Sequence, residues 1–144
     1  MINQDRLIKT FCDLVKIDSP SGKEEEISKD LSTRLTKLGF QVSLDSYGNL
    51  IAGEGADNPF MLSAHMDTVE PGTGIIPKIE SDRIISTSKT ILGGDCKAGI
   101  SAILEALESL KEDSSERIPV EVVFTREEEL GLQGAANLDF SKIN

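Results

Sequence analysis

The sequence predicts an α/β domain with a mixed, mainly parallel sheet flanked by helices. Helical stripes alternate with short apolar runs, and two of those runs, FMLSA (60–64) and VEVVFT (120–125), are nearly continuous, as in strands covered on both faces. Bulk agrees: 144 residues can bury a real core in one domain and do not fit a two-domain enzyme. With 38% hydrophobic and 28% charged residues the chain has the composition of a globular protein.

Each element has its own signal. Residues 3–16 place Leu7, Phe11, Leu14 and Val15 at helical spacing, with Ile8 widening the stripe. The turn IDSPSG follows, and Ser21 with Glu24 three residues on reads as a capping box for a second helix. Ile27, Leu31, Leu35 and Leu38 line one face of that helix, and Gly39 closes it. Glu24, Glu25 and Glu26 suit the positive end of its dipole and read as a solvated helix start. Residues 40–44 and 50–52, joined through Tyr47-Gly48-Asn49, read as a hairpin. The loop GEGADNP leads to FMLSA. Residues 66–94 are irregular, with a candidate small hairpin through Ile79 and Ile84-Ile85. After Gly93-Gly94, the residues Ile100, Ile103, Leu104 and Leu107 mark a third helix, and VEVVFT is entered from Pro119. No repeat or linker divides the chain.

Charge and cysteine usage narrow the function. Lys+Arg 15 against Asp+Glu 25 leaves a net charge of -10 and no basic stripe to neutralise phosphates, which argues against nucleic acid. The first residues lack the apolar stretch of a signal peptide, and no segment approaches the length of a membrane span, so the expectation is a cytoplasmic protein. Cys12 and Cys96 allow one bridge at most and read as reduced thiols. The single His limits any imidazole site to one ligand from this chain.

Three clusters carry chemistry. His65 and Asp67 stand two apart after FMLSA, on one side of the chain, which suits a metal-binding imidazole oriented by a carboxylate; the alternative is a surface His beside a capping Asp. Asp95, in GGDCKAG, sits where the third helix starts and can either cap free N–H groups or bind a cation. Cys96 beside it reads as a structural thiol. Glu127, Glu128 and Glu129 follow VEVVFT; they form a solvated acidic loop, or one binds a metal while another holds a proton. Together the clusters supply one imidazole, one helix-start carboxylate, a glutamate ligand and a spare glutamate as base. That inventory matches a hydrolytic site with two divalent ions.

SAHMDTVEPGTGIIP, TILGGDCKAGISAILEAL and VVFTREEELGLQGA closely resemble the M20 family of zinc metallopeptidases, and among them the peptidase T-like tripeptide aminopeptidases. The resemblance runs from SPSGKEEEI to LGLQGA, nearly the whole chain. It implies a Zn-dependent exopeptidase-like catalytic domain. In that family pattern His65 binds one zinc, Asp67 orients His65, Asp95 bridges two zincs with a cis peptide after it, Glu128 is the general base and Glu129 binds the second zinc. The position after Asp95, often a second Asp in this branch, is Cys96.

Family members are much longer, with a further Asp ligand, a lid or dimerisation domain and a distal His ligand. The expectation is therefore the N-terminal portion of the catalytic domain, with each metal at least one protein ligand short. Zinc binding should be weak, and activity of these 144 residues alone slight. The parent would act on small peptides, with no nucleic-acid or membrane partner. Another M20 activity (aminoacylase or dipeptidase) and a non-catalytic α/β assembly module are the alternatives. Apolar faces of FMLSA and VEVVFT left uncovered should favour a homo-oligomer.

Overall fold

The computed structural model describes residues 1–114 and 116–144. Its elements are α1 (Gln4–Val15), α2 (Glu25–Leu38), β1 (Gln41–Leu44), β2 (Leu50–Gly53), β3 (Phe60–His65), β4 (Pro77–Ile79), β5 (Ile84–Ser86), α3 (Gly94–Asp113), β6 (Val120–Thr125) and α4 (Gln133–Ala136), with a 3-10 turn over Phe140–Lys142. Asn3 caps α1 by accepting the Arg6 N–H at 3.1 Å. Gly39 closes α2 with φ 102°, a left-handed conformation that costs glycine little. The capping box does not form. Glu24 holds the cap position with no bond from its side chain to the helix, and the Ser21 hydroxyl donates to Asp67 instead. Partners distant in sequence outcompete the local cap.

The main sheet has the order β1-β2-β6-β3. It is mixed and flanked by helices, but less parallel than expected. β1–β2 and β2–β6 are antiparallel and only β3–β6 is parallel, because the hairpin lays β2 against β6 in the opposite sense. β6 is central and buried throughout, so it leaves no open face. β3 is an edge strand among the described residues, and the expected cover on both faces exists only at its end. Ala64 and His65 are buried, whereas Phe60 is 60% and Met61 42% exposed.

The core lies between the sheet and the helices. Val120, Val122 and Phe124 of β6 meet Leu50, Ala52 and Ala64, and over them pack Ile27, Leu31 and Leu35 of α2 and Ile100, Leu104 and Leu107 of α3. Each buried Val, Leu, Ile or Phe side chain among them contributes roughly 1.5–3 kcal/mol. On the opposite face the C-terminal residues cross the strands, and Asn144 donates from its backbone N and Nδ2 to the buried Glu121 carboxylate.

The β3–α3–β6 crossover positions the chemistry. Parallel neighbours end at the same edge, and His65 pairs in register with Thr125. The helix joining them must start at that edge to run back along the sheet. The three clusters, separated by tens of residues in sequence, therefore meet at one end.

Candidate active site

His65 is 8% exposed at the end of β3. Its Nδ1 lies 2.9 Å from the Asp67 carbonyl and 3.3 Å from the Asp67 carboxylate, so Nδ1–H donates into that residue. Its Nε2 faces Asp95 Oδ1 at 3.0 Å and Glu128 Oε2 at 3.9 Å. Both ring nitrogens thus meet acceptors, and the Nε2 side calls for positive charge, from a ring proton or from a cation. Burial opposes the charged ring, but the bonds to Asp67 and Asp95 and the charge on Glu128 overcome it and raise the His65 pKa to about 9.

Asp95 reaches this point from the start of α3, where Gly93 turns the chain at φ 72°; a β-carbon there would lie 3.2 Å from Ile75 Cδ1. The Asp95–Cys96 peptide is cis, as the resemblance implies. Asp95 is 83% exposed in its side chain, and Cys96 is half-buried against the core as a free thiol. Ligating atoms of His65, Glu128 and Glu129 lie within 4.8 Å of one another, as do those of His65, Asp95 and Cys96. Burial, then the charges of Glu128, Asp95 and Asp67, hold the Glu129 carboxyl above its ordinary pKa, with His65 opposing. Several carboxylates crowded on one imidazole make a donor set that suits a hard or borderline divalent cation.

Asp67 is fully buried and ties three segments together. Its carboxylate accepts from the Ser21 hydroxyl at 2.6 Å and from the backbone N–H groups of Glu128 and Glu129 at 2.9 and 3.2 Å. Burial would raise its pKa, but the bonds from His65, Ser21 and those two N–H groups bring it to about 2.

Glu24, Asn49 and Tyr47 also build the site, and sequence reasoning missed all three. Glu24 was expected on a solvated helix start, yet it is fully buried; Glu25 and Glu26 are exposed as expected. Its carboxylate accepts from Arg126 Nε and Nη2 at 2.9 and 2.7 Å and from the Glu127 N–H at 3.1 Å. Asn49 accepts the Arg126 N–H, and the Tyr47 hydroxyl donates to the Glu127 side chain. The carbonyls of Arg126, Glu127 and Glu128 are taken by N–H groups of Gly134, Gln133 and Leu132. Only glycine fits at 134, since a β-carbon there would lie 2.2 Å from the Arg126 carbonyl oxygen. The polar signal available in advance was the charged run Lys23-Glu24-Glu25-Glu26 after the SPSG turn. A groove of about 570 Å³ lies among α1, α2 and α3 and touches no part of this site.

Fold and site together define an α/β domain whose imidazole and carboxylates converge at the carboxyl ends of two parallel strands. Residues 61–139, more than half of the chain, match the model of peptidase family M20/M25/M40, and the chain belongs to that family. All of it superposes on 42% of a tripeptidase from Staphylococcus aureus, with TM-score 0.95 and 36% identity. For the aminopeptidase PepT from Bacillus cereus the TM-score is 0.91 and the identity 40%, over 99% of this chain and 41% of that one. The uncharacterized protein YqjE of Bacillus subtilis is 40% identical over 99% of this chain and 42% of its own. The chain therefore spans about two fifths of the length of these relatives.

Proposed function

We propose that these residues form the first portion of the catalytic domain of a peptidase T-like aminopeptidase, which removes the N-terminal residue of short peptides such as tripeptides and holds two zinc ions in its complete site. The likeness to a tripeptidase and to PepT supports the substrate class. One observation carries the chemistry: His65 Nε2, Asp95, Glu128 and Glu129 converge at one edge of the β3–β6 pair. In this reading His65, Asp95 and Glu129 would hold the metal, Glu128 would be the general base and Asp67 would orient His65. When bound, zinc lowers the pKa of water and polarises the scissile carbonyl.

The chain's own residues do the rest. The Asp67 carbonyl accepts a hydrogen bond from His65 Nδ1–H and so turns Nε2 toward the site. Asp95 is open to solvent on the side away from His65, where its second oxygen can serve another ligand. Glu128, with its side chain 36% exposed, can accept a proton from the attacking water and deliver it to the leaving amine.

The further ligands and the lid belong to sequence outside these residues. On this reading the 144-residue chain binds zinc weakly and has little activity by itself. A homo-oligomer in the cytoplasm completes the proposal, the two free thiols fitting a reducing compartment. Among the described residues no helix is long and apolar enough to cross a membrane.

Zinc titration of the purified chain tests the site. Binding should be weak and lost in His65→Ala; stoichiometric zinc that survives dialysis would overturn the weak-binding claim. The full-length parent should cleave tripeptides in preference to dipeptides and N-acyl amino acids. The reverse preference would move it to another branch of the family.

A further inference from the structure

Glu24 stands outside the proposed ligand set, yet the backbone of the acidic loop is hung on it. The N–H groups of residues 126–129 all leave the loop: Arg126 donates to Asn49, Glu127 to Glu24, and Glu128 and Glu129 to Asp67. Glu127 has φ 49°, a left-handed conformation that a side chain other than glycine adopts only when its surroundings impose it. Glu24 supplies that restraint from two directions. One oxygen accepts the Glu127 N–H at 3.1 Å and the Gly22 N–H at 3.0 Å, and the other takes the Arg126 fork. The next two residues along the turn are Glu128 and Glu129, whose carboxylates face His65.

We propose that Glu24 is a positioning residue: by pinning Arg126 and the Glu127 N–H it sets the left-handed turn that aims Glu128 and Glu129 at His65, and so governs the affinity of the metal site. The proposal rests on the reading of His65, Asp95 and Glu129 as ligands. Glu24 touches none of them and takes no part in proton transfer. Its carboxylate is matched to its donors on both oxygens. The amide of Glu24→Gln turns an N–H group toward one of these donor pairs and breaks it.

The experiment compares wild type, Glu24→Gln, His65→Ala and the core control Leu35→Ala by zinc titration, at a temperature where circular dichroism shows each to be folded. Wild-type affinity should be lost in His65→Ala and should fall about 10–100-fold in Glu24→Gln, the range for residues that orient ligands. Leu35→Ala, also destabilised, should keep it. Without metal, amide exchange at Glu127, Glu128 and Glu129 should quicken about tenfold in Glu24→Gln and stay unchanged in Leu35→Ala.

Unchanged zinc affinity in Glu24→Gln, with His65→Ala inactive in binding, would overturn the positioning role. Binding that ignores His65 would overturn the ligand reading instead, and amide exchange would still decide whether Glu24 holds the turn. Should Glu24→Gln fail to fold, Arg126→Lys repeats the comparison, since it keeps the cation beside Glu24 and gives up the two-atom fork.

Discussion

Replacing Asp67 by Asn tests how the site is built without recourse to metal or substrate. The Asp67 carboxylate is fully buried and accepts from two backbone N–H groups, one hydroxyl and the His65 ring. An asparagine has one acceptor oxygen in the same outline. Its NH2 group can turn to the Ser21 hydroxyl, which can accept, but then one oxygen must serve both backbone donors and His65. At least one buried donor goes unmet, at about 1–3 kcal/mol, and the remaining bonds lose the extra strength of an ionised acceptor. The expected loss is about 2–4 kcal/mol, short of the extreme for a broken buried ion pair because the site edge is open to water. For a chain of this size that lowers the melting temperature by roughly 5–15 °C. Urea unfolding of the metal-free protein, followed by circular dichroism, measures it. Ser21→Ala, which removes one of the four donors, should cost about 1 kcal/mol. A change below about 0.5 kcal/mol in Asp67→Asn would refute the reasoning, because so small an effect belongs to surface substitutions.

Three further outcomes follow from other parts of the fold. The bond from Arg6 holds the Glu105 carboxyl at about 2 against some opposition from burial, so the pair stabilises the fold above the ordinary glutamate range and is lost as pH falls from about 4.5 through about 2. After allowance for solvent screening around Arg6 this is about 1–2 kcal/mol, and acid titration of stability should show that limb flattened in Glu105→Gln. Gly134→Ala drives a methyl into the Arg126 carbonyl oxygen at 2.2 Å, and a melting curve should show a loss of at least about 2 kcal/mol as the acidic loop shifts. Phe60 and Met61 on the open edge of β3 should support self-association, visible by sedimentation at high concentration and weakened by Met61→Lys; a clean wild-type monomer would contradict it.

Much of the fold was legible because its signals are local. The stripes of α1, α2 and α3, the left-handed Gly39 and the Tyr47-Gly48-Asn49 turn each lie within one element, and each formed close to the expected bounds. The site was legible in part for the same reason. His65, Asp95 and the glutamates stand at the ends of apolar runs, and a strand end or helix start is recognisable from the residues that precede or follow it.

What the sequence determined alone is therefore the set of elements, the residue types at their ends and the family whose pattern they match. The tertiary structure decided which strands are neighbours, and with it that β6 is buried and β3 an edge. It also decided that Glu24 is a buried acceptor for Arg126 and Glu127, while Glu25 beside it meets the same guanidinium at 3.2 Å from the exposed side. A carboxylate in a charged helix start looks the same in sequence whether it is buried under a guanidinium about a hundred residues further along or left at the surface beside it. Only the packing of α2 against the end of β6 distinguishes the two, because burial and pairing are properties of the assembled neighbours and not of the residue.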